Sequence, residues 1–210
     1  STLQALSWKL DSLENTEIFD GNVLPVEQAL KKRQSAVIRG DIRRLQMISS
    51  YMIKKFYKKR RNYQDNRERG YDNQADYFPM FFVVMDEAHN FAPKHDFNPT
   101  KQVLRTIALE ARKYGVFLVM VTQKPDALDE AIVAQLNTKF IYRLKTASEM
   151  EMAQKETGLS DEEIHKLPSL TAGSCFVSSP LLPKTFAARF RTTFTVPPNT
   201  RDSFDELDEF

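Results

Sequence analysis

Six consecutive apolar residues at 80–85 run straight into Asp86 and Glu87, and this junction constrains the fold more than any other stretch of the chain. The run is rich in β-formers and offers no polar position to water, the pattern of a strand covered on both faces of a parallel sheet. A second such run occupies residues 116–121. Between them, Asn98 and Pro99 supply an N-cap and a first helical residue, Val103, Ile107, Ala111 and Tyr114 share one helical face, and Gly115 closes the helix. Strand, helix and strand in this order imply a parallel crossover, right-handed in nearly all such units. The expected fold class is α/β.

The rest of the chain continues the alternation. Leu3, Leu6, Leu10 and Leu13 predict an amphipathic helix over 1–13, and Gly21 and Pro25 a loop after it. Residues 35–38 read as a short buried strand before Gly40. A helix follows over 41–61, with Ile42, Leu45, Ile48, Met52 and Phe56 as its apolar stripe and Arg43, Arg44, Lys54, Lys55, Lys58 and Lys59 mostly off it. Residues 62–77 are polar and read as a long exposed loop. A helix over 127–136, strands at 140–144, 176–178 and 186–194, and capping boxes at Ser148/Glu151 and Ser160/Glu163 complete the pattern, the last strand antiparallel at an edge. At 210 residues one domain is expected, over 1–196, followed by an acidic tail over 197–210.

Composition narrows the function classes. The longest apolar run is six residues, far short of the roughly 20 that span a bilayer, and no signal peptide opens the chain. The expectation is a cytoplasmic protein with no membrane contact. A lone Cys175 excludes an intramolecular disulfide and leaves too few thiols for a zinc site. The small net charge conceals a basic segment, residues 31–69, with fourteen Lys and Arg against three acids. Arg43, Arg44, Lys54, Lys55, Lys58 and Lys59 are its candidates for meeting nucleic-acid phosphates; a solvated helix face is the competing reading.

Groups at the carboxyl ends of strands face the ligand crevice in an open α/β sheet. Two adjacent carboxylates there can divide labour, Asp86 toward Mg²⁺ and Glu87 toward the water that attacks a γ-phosphate. An acidic pair capping the next turn is the alternative. His89 fits either coupling to neighbours or a hydrogen-bonded structural role. The run 116–121 gives way to Thr122, Gln123, Lys124 and Pro125, so Gln123 is placed to sense a phosphate or orient water, or is simply a turn residue before Pro125. Residues 110–115, Glu-Ala-Arg-Lys-Tyr-Gly, taken alone read as cations complementing a helix C-terminus.

Together these three segments, in this order within residues 35–193, resemble the HerA/FtsK branch of RecA-like ATPases, and HerA-type ATPases most closely. The resemblance implies a RecA-like P-loop ATPase sheet, mostly parallel with flanking helices. It makes Asp86 and Glu87 the Walker B pair, Gln123 the sensor glutamine and Arg112 an arginine finger acting on the next subunit's nucleotide. Asp86, Glu87 and Gln123 are then the groups that meet ATP and Mg²⁺. It also implies a homo-hexameric ring threading double-stranded DNA and, for HerA, partnership with a NurA-type nuclease. The Asp-Glu-Ala-His tetrad also occurs in the helicases named after it, but Thr122-Gln123 stands where those should carry Ser-Ala-Thr.

One element departs from the family pattern. None of the six glycines precedes a lysine, so these residues contain no GxxxxGK[ST]. The expectation is the C-terminal part of a longer ATP-hydrolysing DNA translocase or helicase, without the Walker A strand and on its own inactive. A non-catalytic assembly or regulatory module, and the motor of a defence or conjugation system, are the alternatives.

Overall fold

The computed structural model describes residues 26–71, 73–192 and 194–195. The expected helix over 1–13, the loop around Gly21 and Pro25 and the acidic tail over 197–210 lie outside the described residues.

The first described element is a short helix, α1 (Val26–Lys31), whose Glu27 carboxylate pairs with Lys59. Residues 34–40 form no regular structure, which corrects the expected strand over 35–38. Val37 is 78% exposed and only Ile38 packs partly against the core. An apolar tetrapeptide becomes a strand only where a neighbouring backbone accepts its hydrogen bonds.

The long helix α2 (Ile42–Glu68) starts at Asp41, whose carboxylate accepts the N–H groups of Arg43 and Arg44 at 3.1 Å. It runs seven residues past the expected end. Polarity alone does not stop a helix: residues 62–68 contain neither Gly nor Pro, and Arg61–Asp65 (3.6 Å) and Gln64–Glu68 (3.2 Å) link successive turns. The helix ends at Arg69, before Gly70 at φ 84°. Its buried face is Ile53, Phe56, Tyr57 and Arg60, rotated from the expected stripe, so Ile42 is 41% exposed.

Strands β1 (Phe81–Met85) and β2 (Val116–Met120) pair in parallel, Phe81 opposite Val116 and Met85 opposite Met120. They are joined by α3 (Pro99–Glu110), with Asn98 accepting the Thr100 N–H at 2.9 Å. The capped strand–helix–strand unit is as the sequence implies, but its burial is not. Phe81 and Met85 are buried, whereas Phe82 and Val84 are 66% and 64% exposed, so the sheet is covered on one face only among the described residues. On the open face Phe82 stacks on Phe117 at 5.0 Å. On the covered face Phe56, Phe78 and Phe81 form an aromatic cluster against Leu104, Ile107 and Val116. Each such fully buried side chain contributes about 1.5–3 kcal/mol.

The remaining strands form a separate antiparallel sheet in the order β3 (Lys139–Ile141), β4 (Ser174–Ser178), β5 (Phe186–Arg189). The mostly parallel arrangement thus holds for β1 and β2, and β5 is the antiparallel edge strand expected, though shorter. The helix expected over 127–136 is reduced to α4 (Glu130–Val133) behind Asp129. Helices α5 (Ala147–Thr157) and α6 (Asp161–Lys166) bury Ala153, Leu159 and Leu167 against Phe176 as a second core. The box at Ser160/Glu163 is formed, and the N–H and hydroxyl of Ser160 hold the Glu163 carboxyl below its usual range. The other box is Thr146/Glu149 rather than Ser148/Glu151; Ser148 instead donates its hydroxyl to Asp126 at 2.9 Å. Cys175 is fully buried, which pushes its thiol up. No described helix is long and apolar enough to cross a membrane.

Candidate functional site

Because β1 and β2 are parallel and in register, the residues that follow them emerge side by side at one end of the sheet. The ladder extends one step into the turns, with Val121 N–H donating to the Met85 carbonyl and Ala88 N–H to the Val121 carbonyl, both at 2.9 Å. Asp86 is exposed, and its Oδ1 accepts the Glu87 N–H at 3.0 Å. Glu87 adopts the left-handed conformation at φ 46°, ψ 49°, a backbone state that costs a non-glycine residue about 1 kcal/mol. That strain is held by the two ladder bonds on either side.

The Gln123 amide reaches across from the end of β2 and donates to Glu87 Oε1 at 2.8 Å. The other oxygen, Oε2, is buried yet has no hydrogen-bond partner. His89 Nδ1 lies 3.4 Å from it, an ion-pair distance without hydrogen-bond geometry, and 3.0 Å from Thr122 Oγ1. In the tautomer that carries its hydrogen on Nδ1, the ring donates to Thr122 Oγ1. Thr122 Oγ1 in turn accepts the Lys124 N–H at 3.0 Å. Asp86, Glu87, His89, Thr122 and Gln123 therefore belong to one cluster, as the strand-end argument requires.

The loop leaving this cluster is tied down by residues the sequence did not single out. Lys101 Nζ, on α3, donates to the carbonyls of Pro93 at 2.7 Å and Asp96 at 2.9 Å and sits 3.7 Å from Asp129. Asp129 is 2% exposed; it accepts two bonds from Arg105 and one from the Ile132 N–H. Burial pushes the Asp129 carboxyl up, but Arg105, Ile132 and Lys101 outweigh it and hold the carboxyl below its usual range. Polar residues on a helix read as its solvent face, so sequence periodicity hides this pin. A shallow depression beside it is lined by Gln46, His89, Asn90, Lys94, Asn98 and Lys124.

The structure does not bring Arg112 to this cluster. It sits in a 3₁₀ turn (Ala111–Tyr114) before β2, at the other end of the sheet, and the five residues of β2 alone separate the ends by about 17 Å. Arg112 is exposed and has no ion pair or side-chain hydrogen bond among the described residues. The six basic candidates of α2 are likewise all exposed, on the flanks of the helix and the side away from its buried face. Arg44 pairs with Asp41 at 3.1 Å, Lys59 with Glu27, and Lys55 lies over the Tyr51 ring at 5.7 Å. Arg43, Lys54 and Lys58 have no side-chain partner among the described residues.

Asp86 and Glu87 are compatible with a magnesium-bound nucleotide. No three His, Cys, Asp or Glu side chains among the described residues gather to cage a metal, and Mg²⁺ characteristically takes one or two carboxylates, waters and phosphate oxygens instead. The second Asp86 oxygen and Glu87 Oε2, which has no hydrogen-bond partner, are acceptors of the type such a site uses.

No protein-family model matches the chain. Among curated proteins, the DNA double-strand break repair helicase HerA of Saccharolobus solfataricus is 28% identical over 168 residues, 80% of this chain and 30% of that protein. The HerA of Pyrococcus furiosus is 34% identical over 96 residues, 45% of this chain and 17% of that one. A probable helicase of Methanocaldococcus jannaschii is 31% identical over 112 residues, 53% of this chain and 22% of its own length. The chain is similar in sequence to HerA-type helicases. A 168-residue stretch of a 210-residue chain necessarily includes residues 43–168, and with them Asp86, Glu87, Arg112 and Gln123. The chain nevertheless spans less than a third of these relatives' lengths. Among solved structures it is similar to the genome packaging NTPase B204 from Sulfolobus turreted icosahedral virus 2 in complex with AMPPCP (14% identity, TM-score 0.46, 55% of each chain). VirB4 of Thermoanaerobacter pseudethanolicus is another such match (17% identity, TM-score 0.43, 54% of this chain and 31% of that one).

Proposed function

We propose that the chain supplies the hydrolytic side of a nucleotide site in an ATP-driven DNA translocase or helicase. The observation that carries this reading is the 2.8 Å bond from Gln123 to Glu87 across the ends of two parallel strands. Gln123 occupies one carboxylate oxygen and fixes the rotation of the group. The other oxygen, buried and without a hydrogen-bond partner, is the acceptor for a water placed to attack a γ-phosphate. An unpaired buried acceptor of this kind costs about 1–3 kcal/mol, which a bound water offsets. Glu87 then takes the water's proton as the new oxygen–phosphorus bond forms and the bond from the γ-phosphorus to the bridging oxygen breaks, that oxygen leaving with ADP, while His89 Nδ1 stands 3.4 Å from the same carboxylate oxygen. Asp86 is assigned to the metal. Magnesium held there with ATP would supply charge neutralisation at the phosphate oxygens.

Arg112 serves the nucleotide of a neighbouring subunit. Its distance from Glu87 rules out the same site, and a lone exposed arginine on a rigid turn suits insertion into an adjoining copy. The assembly proposed is a homo-hexamer on double-stranded DNA, with the basic face of α2 meeting phosphates and a NurA-type nuclease as a candidate partner. These 210 residues contain no GxxxxGK[ST], so the chain alone should neither bind ATP tightly nor turn it over.

The test is steady-state ATP hydrolysis by the full-length protein. Glu87→Gln should lower kcat by about 100-fold or more while nucleotide binding persists. Full turnover by Glu87→Gln, or by the isolated 210-residue chain, would refute the reading.

A further inference from the structure

The turn carrying Arg112 is held more tightly than a surface turn requires, with three side chains of α2 among its anchors. Helix α3 breaks at Glu110 (φ −131°) into the 3₁₀ turn, which closes at Gly115 (φ 73°) with the Gly115 N–H directed at the Ala111 and Arg112 carbonyls. Tyr57 donates its hydroxyl to Glu110 Oε1 at 2.9 Å, and Arg61 lies 3.7 Å from the same oxygen. Arg60, 8% exposed, donates to the Tyr114 carbonyl at 2.7 Å and to the Phe78 carbonyl at 2.8 Å. The Tyr114 ring meets Tyr57 edge-on at 5.9 Å and lies under Arg61 at 5.4 Å. Three consecutive uses of one helix turn, at Tyr57, Arg60 and Arg61, thus fix residues 110–114 at both ends. Arg112 in the middle is left free of partners among the described residues.

The arrangement has a counterpart at the other end of α2. Gln46 donates to the Asn90 carbonyl at 2.6 Å and accepts, through its own carbonyl, the Thr100 hydroxyl at 2.7 Å. One continuous helix therefore touches the loop after Glu87 and the turn bearing Arg112, and its exposed side carries the basic residues.

We infer that Tyr57 is a positioning residue for Arg112, and that its bond to Glu110 couples the basic helix α2 to the arginine presented to a neighbouring subunit. The inference rests on Arg112 acting as a finger. A phosphate-bearing ligand displacing α2 through Arg43, Lys54 or Lys58 would move the Glu110 anchor with it. A displacement of order 1 Å at a group that stabilises a transition state changes rate by up to about 100-fold. Burial and the adjacent Glu110 carboxylate push the Tyr57 hydroxyl well above its usual range, so it remains a donor at any working pH.

The test compares DNA-stimulated ATP turnover of the full-length protein with four variants: Tyr57→Phe, Glu110→Gln, Arg112→Ala, and Tyr57→Phe combined with Arg112→Ala. Tyr57→Phe should lower kcat about tenfold with KM for ATP unchanged, because the finger is mispositioned while the nucleotide site is untouched. Glu110→Gln keeps an acceptor oxygen and should stay within about twofold of wild type. The double variant should be no slower than Arg112→Ala alone, since both changes act through one group. If Tyr57→Phe does not fold, Glu110→Ala is expected to give the same tenfold loss. Slow Arg112→Ala beside full-rate Tyr57→Phe, or a double variant slower by the whole Tyr57 factor, overturns the coupling and leaves the finger standing. Wild-type turnover by Arg112→Ala removes the finger, and the inference falls with it.

Discussion

Replacing Asp129 by Asn leaves the side chain's shape and removes its charge, and the structure sets the size of the consequence. Asp129 is 2% exposed and serves Arg105, the Ile132 N–H and the nearby Lys101 ammonium. Breaking one partner out of a buried ion pair costs about 3–5 kcal/mol when the other charge is left stranded. Here the loss is smaller, because the Arg105 side chain is 40% exposed and can turn to water, and Lys101 keeps its bonds to the Pro93 and Asp96 carbonyls. An effect of about 2–3 kcal/mol follows, or a fall in Tm of about 5–10 °C for a chain of this size. The sign with pH is fixed by the depressed carboxyl. Its stabilisation is complete above the unfolded value of about 3.9 and disappears as pH falls through the lower folded value. Thermal unfolding by circular dichroism should therefore give a constant gap between wild type and variant above about pH 5, closing below about pH 4. A gap equally large in acid would mean that Asp129 acts by packing, and no gap at neutral pH would mean that the pin on the loop after Glu87 is not there.

Gly115→Ala should destabilise the protein by about 1–3 kcal/mol and slow turnover through Arg112, since φ is +73° and the new Cβ would lie 2.5 Å from Met80 Cγ. Leu104→Ala, at a fully buried position of α3, should cost about 2–5 kcal/mol in denaturant unfolding. Lys54→Glu with Lys58→Glu should weaken duplex DNA binding by the full-length protein irrespective of sequence and reduce the slope of log affinity against log salt by about two; an unchanged slope would return that face to plain solvation.

The crossover unit was legible because its signals are local and mutually consistent. Asn98 and Pro99 start a helix, Gly115 ends it, and the apolar runs on either side have no other use. The same locality placed Glu87 and Gln123 beside each other, since parallel strands in register deliver their following residues to one edge. What the residues could not reveal was what lies across a face: Phe82 and Val84 are as apolar as Phe81 and Met85, yet are mostly exposed in the described structure. Polarity misled in the opposite sense at residues 62–68, where charges that look like loop are tied into α2 by pairs one turn apart. Thr146 and Ser148 both head a capping pattern, and only Ser148's bond to Asp126 decides between them. The pins at Lys101–Asp129 and Tyr57–Glu110 join residues 28 and 53 positions apart and leave no periodic trace.

Co-expression of Glu87→Ala and Arg112→Ala subunits, so that both enter the ring proposed for the full-length protein, tests the account most directly. Each variant alone should be nearly inactive, and mixed rings should recover turnover, because an intact Glu87 site then borders an intact Arg112 from the next copy. Arg112→Ala rings turning over at the wild-type rate, or mixed rings as inactive as either parent, would contradict it.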